Sequence, residues 1–236
     1  MAEIHHTTLK PTKLELLTDW LPGRPWYRGG PEGPQLSKAG GFRLDDPEGE
    51  VGIEFMVVSD AGASYGDASY GDASYGDASY GDASYGDASY SSTEAWYLVP
   101  MTYRGAPLQG AEEALIGTTE HGVLGKRWVY DGCHDPVLVG ELAALIDGRA
   151  TAQAQSVSDQ EDRDVRVAYE GAPLGAAGIG SVTDTESGTG IGLTSGVTLR
   201  LMRALVPGGD GHVSGAWQRG DASQVRAAFI TVHPAA

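Results

Sequence analysis

The chain has 236 residues, with 32 acidic against 16 basic side chains and a formal net charge of −16 at pH 7. This surplus of negative charge repels phosphate backbones and anionic lipid headgroups, so it argues against nucleic-acid and membrane-surface partners. The single cysteine, Cys133, excludes an intramolecular disulfide framework. There is neither a long apolar run nor a secretory leader pattern, so the sequence predicts a cytoplasmic protein.

The first predicted elements are a helix and a strand. Leu14, Leu17 and Trp20 have the spacing of one helix face, and the proline- and glycine-rich residues 22–25 end that helix. Apolar residues then alternate with smaller or polar ones over residues 51–57, which predicts a strand.

Five identical copies of the pentapeptide GDASY occupy residues 66–90. A five-residue period moves each tyrosine to the opposite face of a strand and by about 140° around a helix, so neither element could bury the tyrosines together. The sequence predicts a disordered low-complexity loop over residues 61–92. A self-associating tyrosine tract is an alternative, whereas a stacked β-helix and a calcium-binding β-roll fit poorly because of the short repeat unit and its small number.

The repeat is followed by two strand patterns and a helix pattern. Residues 93–105 form the second arm of a hairpin whose connection is the repeat, and residues 122–132 form a further strand. The helix has Asp135 as its N-cap, Pro136 at its first position and Gly148 as its stop signal.

A polar, glycine-rich stretch covers residues 150–196, with a short strand pattern at 164–171. Two more strand patterns follow, at 196–208 and 223–234. The predicted fold class is α+β, with a mainly antiparallel sheet packed against two helices.

Three stretches carry a family resemblance: LLTDWLPGRPWYRGG (16–30), TEHGVLGKRWVYDGCHDPV (119–137) and TGIGLTSGVTLRLMRALVPG (189–208). Together they resemble motifs of the N-terminal cap of actinobacterial maltokinases, which use ATP and magnesium to phosphorylate maltose. The resemblance implies a curved, cystatin-like sheet with a regulatory role in carbohydrate metabolism. It divides the chain into a cap-like domain over 1–149 and a β-rich segment over 150–236 that is similar to the start of a kinase N-lobe.

The resemblance also implies that Arg200 stands at the position of the family's ATP-binding lysine. A planar guanidinium does not replace a compact ammonium at such a site. Only 28 residues follow Gly208, too few for the catalytic lobe of a kinase. We therefore expect a non-catalytic binding or regulatory module without a cofactor, acting in trans on an enzyme of maltose, trehalose or glucan metabolism. The alternatives are a glucan-binding module and a degenerate kinase of maltose or glucosamine.

An aromatic and basic cluster, Arg24, Trp26, Tyr27 and Arg28, is the candidate ligand or partner surface, because aromatic rings stack on sugars. The alternative is that Trp20 and Trp26 pack the first helix onto the sheet.

The weak metal candidates are His121, Cys133 and His134, which lie on either side of one predicted strand. They lack the spacing of a strong zinc signal, and the structural interpretation places Cys133 in the core. We therefore expect no metal.

Overall fold

A computed structural model describes residues 9–63, 94–157, 160–209 and 211–234. The pentapeptide repeat, and the loop predicted for it, lie outside the described residues apart from the positions up to 63. The helices are α1 (Lys13–Trp20) and α2 (Pro136–Ile146), with short 3-10 turns at Leu21–Gly23, Glu112–Ala114 and Gly132–His134. The strands are β1 (Leu9–Lys10), β2 (Leu36–Asp45), β3 (Gly52–Asp60), β4 (Ala95–Arg104), β5 (Leu115–His121), β6 (Gly125–Asp131), β7 (Gln153–Ala154), β8 (Arg166–Val167), β9 (Ile179–Thr185), β10 (Gly188–Leu193), β11 (Thr198–Leu201), β12 (Ala204–Leu205), β13 (Val213–Gln218) and β14 (Gln224–His233).

Both predicted helices are confirmed, and local capping explains where they begin. The hydroxyl of Thr12 accepts a hydrogen bond from the Glu15 amide at 3.3 Å, and the Glu15 carboxylate accepts one from the Thr12 amide at 2.6 Å. At α2 the carboxylate of Asp135 accepts from the Val137 amide at 3.0 Å. In the described residues no helix is both long and apolar enough to cross a membrane.

The described strands form one curved sheet in the order β1-β5-β6-β4-β3-β2-β13-β14-β11-β10-β9, with β12 on β4, β7 on β2 and β8 on β13. Every pair of strands is antiparallel, which confirms the α+β class with a mainly antiparallel sheet. β3 pairs with β4 up to Asp60 opposite Ala95, so the predicted hairpin across the repeat is confirmed.

The centre of the sheet is buried on both faces. Phe55 and Val57 of β3 point into a core shared with α2, whereas Met56 and Val58 point into a second core covered by α1. A strand that alternates between two cores is apolar at nearly every position. The sequence interpretation of one apolar face was therefore incomplete for β3.

The sheet continues across the predicted boundary between residues 149 and 150. β2 meets β13 at Gly40 opposite Trp217, and β12 pairs with β4. The larger core takes its residues from both sides of the boundary, for example Phe42 and Phe229, whose rings stack at 6.3 Å. The boundary itself stays a prediction.

The sequence patterns missed seven of the described strands: the two-residue strands β1 and β7, and the longer strands β2, β5, β9, β10 and β13. In β2 the reason is the glycine pair at its middle, which looks like a loop signal. A Cβ on Gly40 would lie 2.9 Å from the Cβ of Trp217, so the seam with β13 admits only glycine there. Gly41 has a φ of +128°, which a side chain would strain.

We predict that deleting residues 66–90 preserves the fold, because the flanking strand ends already pair at Asp60 and Ala95. The connection between these two residues shortens from 34 to 9 residues, slightly less than two halvings, so at about 0.6 kcal/mol for each halving the free energy of unfolding should rise by about 1 kcal/mol. Urea unfolding of the deletion variant measures this change. A variant with the same number of Gly and Ser residues in place of the repeat is the control, and a clear loss of stability in the deletion variant would contradict the prediction.

Candidate functional site

The three stretches that carried the family resemblance meet at the buried side chain of Arg203, which is 0% exposed. Its Nη2 donates to Asp131 Oδ2 at 2.5 Å, and its Nε donates to Thr189 Oγ1 at 2.7 Å. The guanidinium stands 4.9 Å over the ring of Trp26. We call these four residues the arginine cluster. It joins residues from 16–30, 119–137 and 189–208.

The electrostatics of the arginine cluster are those of a closed structural ion pair. Burial disfavours the charge of Arg203, but the Asp131 carboxylate more than offsets this and raises the arginine's pKa. Cys133 Sγ accepts from Arg203 Nη2 at 3.3 Å, and burial raises the thiol's pKa well above its usual value. The thiol is therefore protonated and unreactive at neutral pH. Nothing in this arrangement presents a reactive atom to solvent.

The sequence patterns did not single out Arg203, although the alternation of residues around it indicated a buried charge. Leu199, Leu201, Arg203 and Leu205 fall at alternate positions, and all four are buried. A charged residue at an inward position of an alternating segment indicates a buried partner. Arg200, which the sequence singled out instead, lies on the exposed face of β11, where its Nη2 donates to Ser187 Oγ at 2.5 Å.

The proposed aromatic ligand surface is wrong at Trp26. This ring is 0% exposed and packs against Trp20 at 5.7 Å and Tyr97 at 6.0 Å. It therefore cannot stack on a sugar ring. The alternative, in which Trp20 and Trp26 pack α1 onto the sheet, is confirmed by their shared core with Leu17.

The other members of that cluster lie nearer the surface. The Tyr27 hydroxyl donates to Asp60 Oδ2 at 2.8 Å, and the Arg24 guanidinium lies 4.9 Å over the ring of Trp20. Arg28 is exposed. A ligand or partner role for Arg24, Tyr27 and Arg28 stays a prediction.

The three weak metal candidates have different places and roles in the fold. His121 Nδ1 accepts from the backbone amides of Val123 and Leu124, and Cys133 lies in the core. His134 lines an open depression of about 410 Å³ together with Gly110, Pro136, Ile179 and Val182. Over the ranges that the structure covers, no group of three or more His, Cys, Asp or Glu side chains is arranged to hold a metal ion.

The turn between β5 and β6 carries the most exposed apolar pair of the motif at 119–137. Val123 is 62% exposed and Leu124 is 45% exposed. We call these two residues the apolar tip. Their amides donate to His121 Nδ1 at 3.3 and 3.0 Å, and Gly125 follows with a φ of +69°. The conformation of the turn is thus fixed by hydrogen bonds while both side chains face solvent.

These features define an α+β cap-like domain, with an antiparallel sheet, a helix on each face and the arginine cluster at its centre. Residues 20–135, just under half of the chain, match the maltokinase N-terminal cap domain family. The resemblance is confirmed for that segment. The stretch at 189–208, which supplies Arg203, lies outside the matched residues. No curated protein matches the chain.

We predict that Arg203→Met lowers the free energy of unfolding by about 3–5 kcal/mol, because it leaves the carboxylate of Asp131 buried without its cation. Arg200→Met is the matched control, three residues away on the exposed face, and should change stability by no more than about 0.5 kcal/mol. Urea unfolding followed by tryptophan fluorescence measures both. Equal changes in the free energy of unfolding for the two substitutions would contradict a stabilising role of the arginine cluster.

Proposed function

We propose that the protein is a non-catalytic binding module that regulates, in trans, an enzyme of maltose, trehalose or glucan metabolism, and that it contacts this partner through the apolar tip. The match to the maltokinase N-terminal cap domain family supports a role in this part of metabolism. The matched residues, 20–135, include the apolar tip. The observation that carries the proposal is the exposure of Val123 and Leu124 on a turn of fixed conformation.

Within the stretch 119–137, the apolar tip is the part whose apolar side chains are not explained by packing in a core. Downstream in the same stretch, Val129, Tyr130 and Asp131 are each at most 2% exposed and serve the core. Val123 and Leu124 make no comparable contribution to a core cluster. An exposed apolar pair on a hydrogen-bonded turn loses little conformational freedom on binding, which favours recognition of another surface.

Charged side chains that are almost fully buried serve the fold in the cases described below. This supports a binding module without catalytic activity. Arg203 and Asp131 pair inside the core, and Asp135 both caps α2 and pairs with Arg104 at 2.7 Å. Arg200 is hydrogen-bonded to Ser187 on the surface. If the chain were instead a degenerate kinase, it would turn over ATP in the presence of maltose or glucosamine, and we expect no turnover.

A direct glucan-binding role is less well supported, because Trp26 is buried and Trp96 is only 3% exposed. Adding maltooligosaccharides should therefore leave the tryptophan fluorescence spectrum unchanged. A saturable spectral change would favour the glucan-binding alternative.

We predict that Val123→Asp with Leu124→Asp weakens partner binding by at least about 10-fold, because a contact that buries two apolar side chains would instead bury two carboxylates. The measurement is affinity capture by the immobilised full chain from a lysate of its native cells, with quantitative mass spectrometry of the enzymes of maltose, trehalose and glucan metabolism. Titration with the purified enzyme then gives the change in affinity.

The control is Val206→Asp, because Val206 is 58% exposed and lies away from the β5–β6 turn. Enrichment of one such enzyme by the unmodified chain and by the control, but not by the tip variant, supports the proposal. Enrichment of no such enzyme, or equal enrichment by all three proteins, would overturn it.

A further inference from the structure

The sheet ends at β9, and no strand in the described part of the chain pairs with the outer edge of β9. β9 and β10 are joined by a two-residue loop, so Thr185 and Gly188, which close it, form a hydrogen-bonded pair. Pairs with and without hydrogen bonds alternate along antiparallel strands, so Asp184 and Val182 belong to pairs without them. The backbone N–H and C=O groups of these two residues therefore point away from β10, toward the free edge.

The free edge of β9 is a template for one more strand. Among the described residues, no hydrogen bond uses the outward N–H and C=O groups of Val182 and Asp184. Exposed strand edges are commonly protected by lysine, proline or a bulge. Residues 181–185 contain neither lysine nor proline, and the register shift of β9 lies before them, between Ile179 and Ser181. The outward backbone groups can therefore pair with an extended segment.

A depression lies along the core-facing side of β9. Val182 stands opposite Ile191, which is fully buried, so the Val182 side chain lies on the core face of the sheet. Ile179 and Val182 form one wall of the depression of about 410 Å³, and His134 and Pro136, beside the start of α2, form another. Among the described residues that line it, none comes from β10. A side chain opposite Val182 on an added strand would share the face of Val182 and enter this depression.

Asp184 is the charged residue on the core-facing side of residues 181–185. Its carboxylate accepts a hydrogen bond from the Thr189 hydroxyl at 2.5 Å. It also contributes to raising the pKa of Arg203, but that guanidinium already forms an ion pair with Asp131. An acidic side chain at a strand edge disfavours an apolar or acidic neighbour and favours a basic one. Asp184 therefore selects the charge of the residue that pairs with it.

The surroundings of the depression are acidic as well. Glu112 is exposed, and its carboxylate accepts from the amide of Gly110, one of the lining residues, at 3.1 Å. Glu186, in the loop between β9 and β10, is also exposed. Arg200 donates to Ser187 on the opposite face of the sheet. With a charge of −16 on the whole chain, these side chains favour a basic segment and oppose edge-to-edge pairing with a second copy.

We propose that the free edge of β9 binds an extended basic segment of another protein. The segment adds as one more antiparallel strand, with an apolar side chain opposite Val182 and a basic one opposite Asp184. Antiparallel pairing, which β9 already has with β10, gives each of these two positions two backbone hydrogen bonds to the segment. The backbone bonds supply affinity, while the depression and Asp184 select the side chains. The inference is independent of the proposed function, because it uses no residue of the apolar tip.

The probe is the peptide acetyl-Lys-Thr-Arg-Thr-Leu-Thr-Val-Lys-amide, which places its arginine opposite Asp184 when its leucine is opposite Val182. It is titrated into the full chain and followed by NMR. We expect saturable binding with a Kd below about 1 mM. At saturation the amide hydrogens of Val182 and Asp184 should exchange with solvent at least about 5-fold more slowly, because they become hydrogen-bonded. The amide of Thr183, which already bonds β10, is the internal reference.

Altered peptides test the pairing without altering the protein. N-methylation of the leucine removes the N–H that donates to the Val182 carbonyl, so it should weaken binding at least about 10-fold. The matched control is N-methylation of the threonine before it, whose N–H points away from β9, and this should change the Kd by no more than about 2-fold. Replacing the arginine by glutamate should weaken binding at least about 5-fold, because it places a like charge at Asp184.

Val182→Pro removes an outward N–H but no bond to β10, so the chain should stay folded, which a thermal melt verifies, and should lose the peptide. The matched control is Val157→Pro, at an exposed valine outside the described strands, and it should bind as the unmodified chain does. Equal affinity of the two N-methylated peptides, unchanged exchange at Val182 and Asp184, or no saturable binding would overturn the proposal. Association of two copies that excludes the peptide, seen by ultracentrifugation, would overturn it as well.

Discussion

The buried ion pair between Arg203 and Asp131 is the interaction on which the rest of the structure depends. Desolvating both charges costs several kcal/mol for each ion, and the cost is offset only because the guanidinium also bonds Thr189 and covers the ring of Trp26. The four residues of the arginine cluster come from distant parts of the chain. A pair of this kind contributes little net stability but tolerates no mismatch, so it fixes how β12 and its neighbours sit on β4.

Around that pair, the central strands divide their residues among three tasks. On β3 the odd positions fill the core under α2, while Met56 and Val58 fill the core under α1. Glu54 on that second face accepts hydrogen bonds from Lys13, Tyr103 and Gln155. The β5–β6 hairpin buries one end of its motif and exposes the other at the apolar tip. The apolar tip therefore extends from strands whose positions are already set by packing, so the turn is held in place before any partner binds.

Local signals made much of this fold predictable. The capping residues Thr12 and Asp135 mark both helices, and the alternation in β14 is visible within that strand. What escaped prediction depends on partners far away in the sequence. β2 needs a glycine at position 40 because Trp217 packs against it. Arg203 can be buried because the carboxylate of Asp131 forms an ion pair with it inside the core. For the candidate site, the resemblance picked out the segments that meet at Arg203. The local sequence left Trp26 either on a ligand surface or in the core, because its burial is decided by Tyr97 and Arg203.

The sequence separation within the ion pair has a consequence for synthesis. Asp131 and Arg203 are 72 residues apart, so a ribosome completes the matched cap segment long before it makes the arginine. During that interval Asp131 has no cation to pair with, so its carboxylate is more stable in water than buried in the core. Final closure of the two cores is therefore a late event in the life of the nascent chain. The residues after 150, which include Arg203, are in this sense needed to complete the folding of the residues before them.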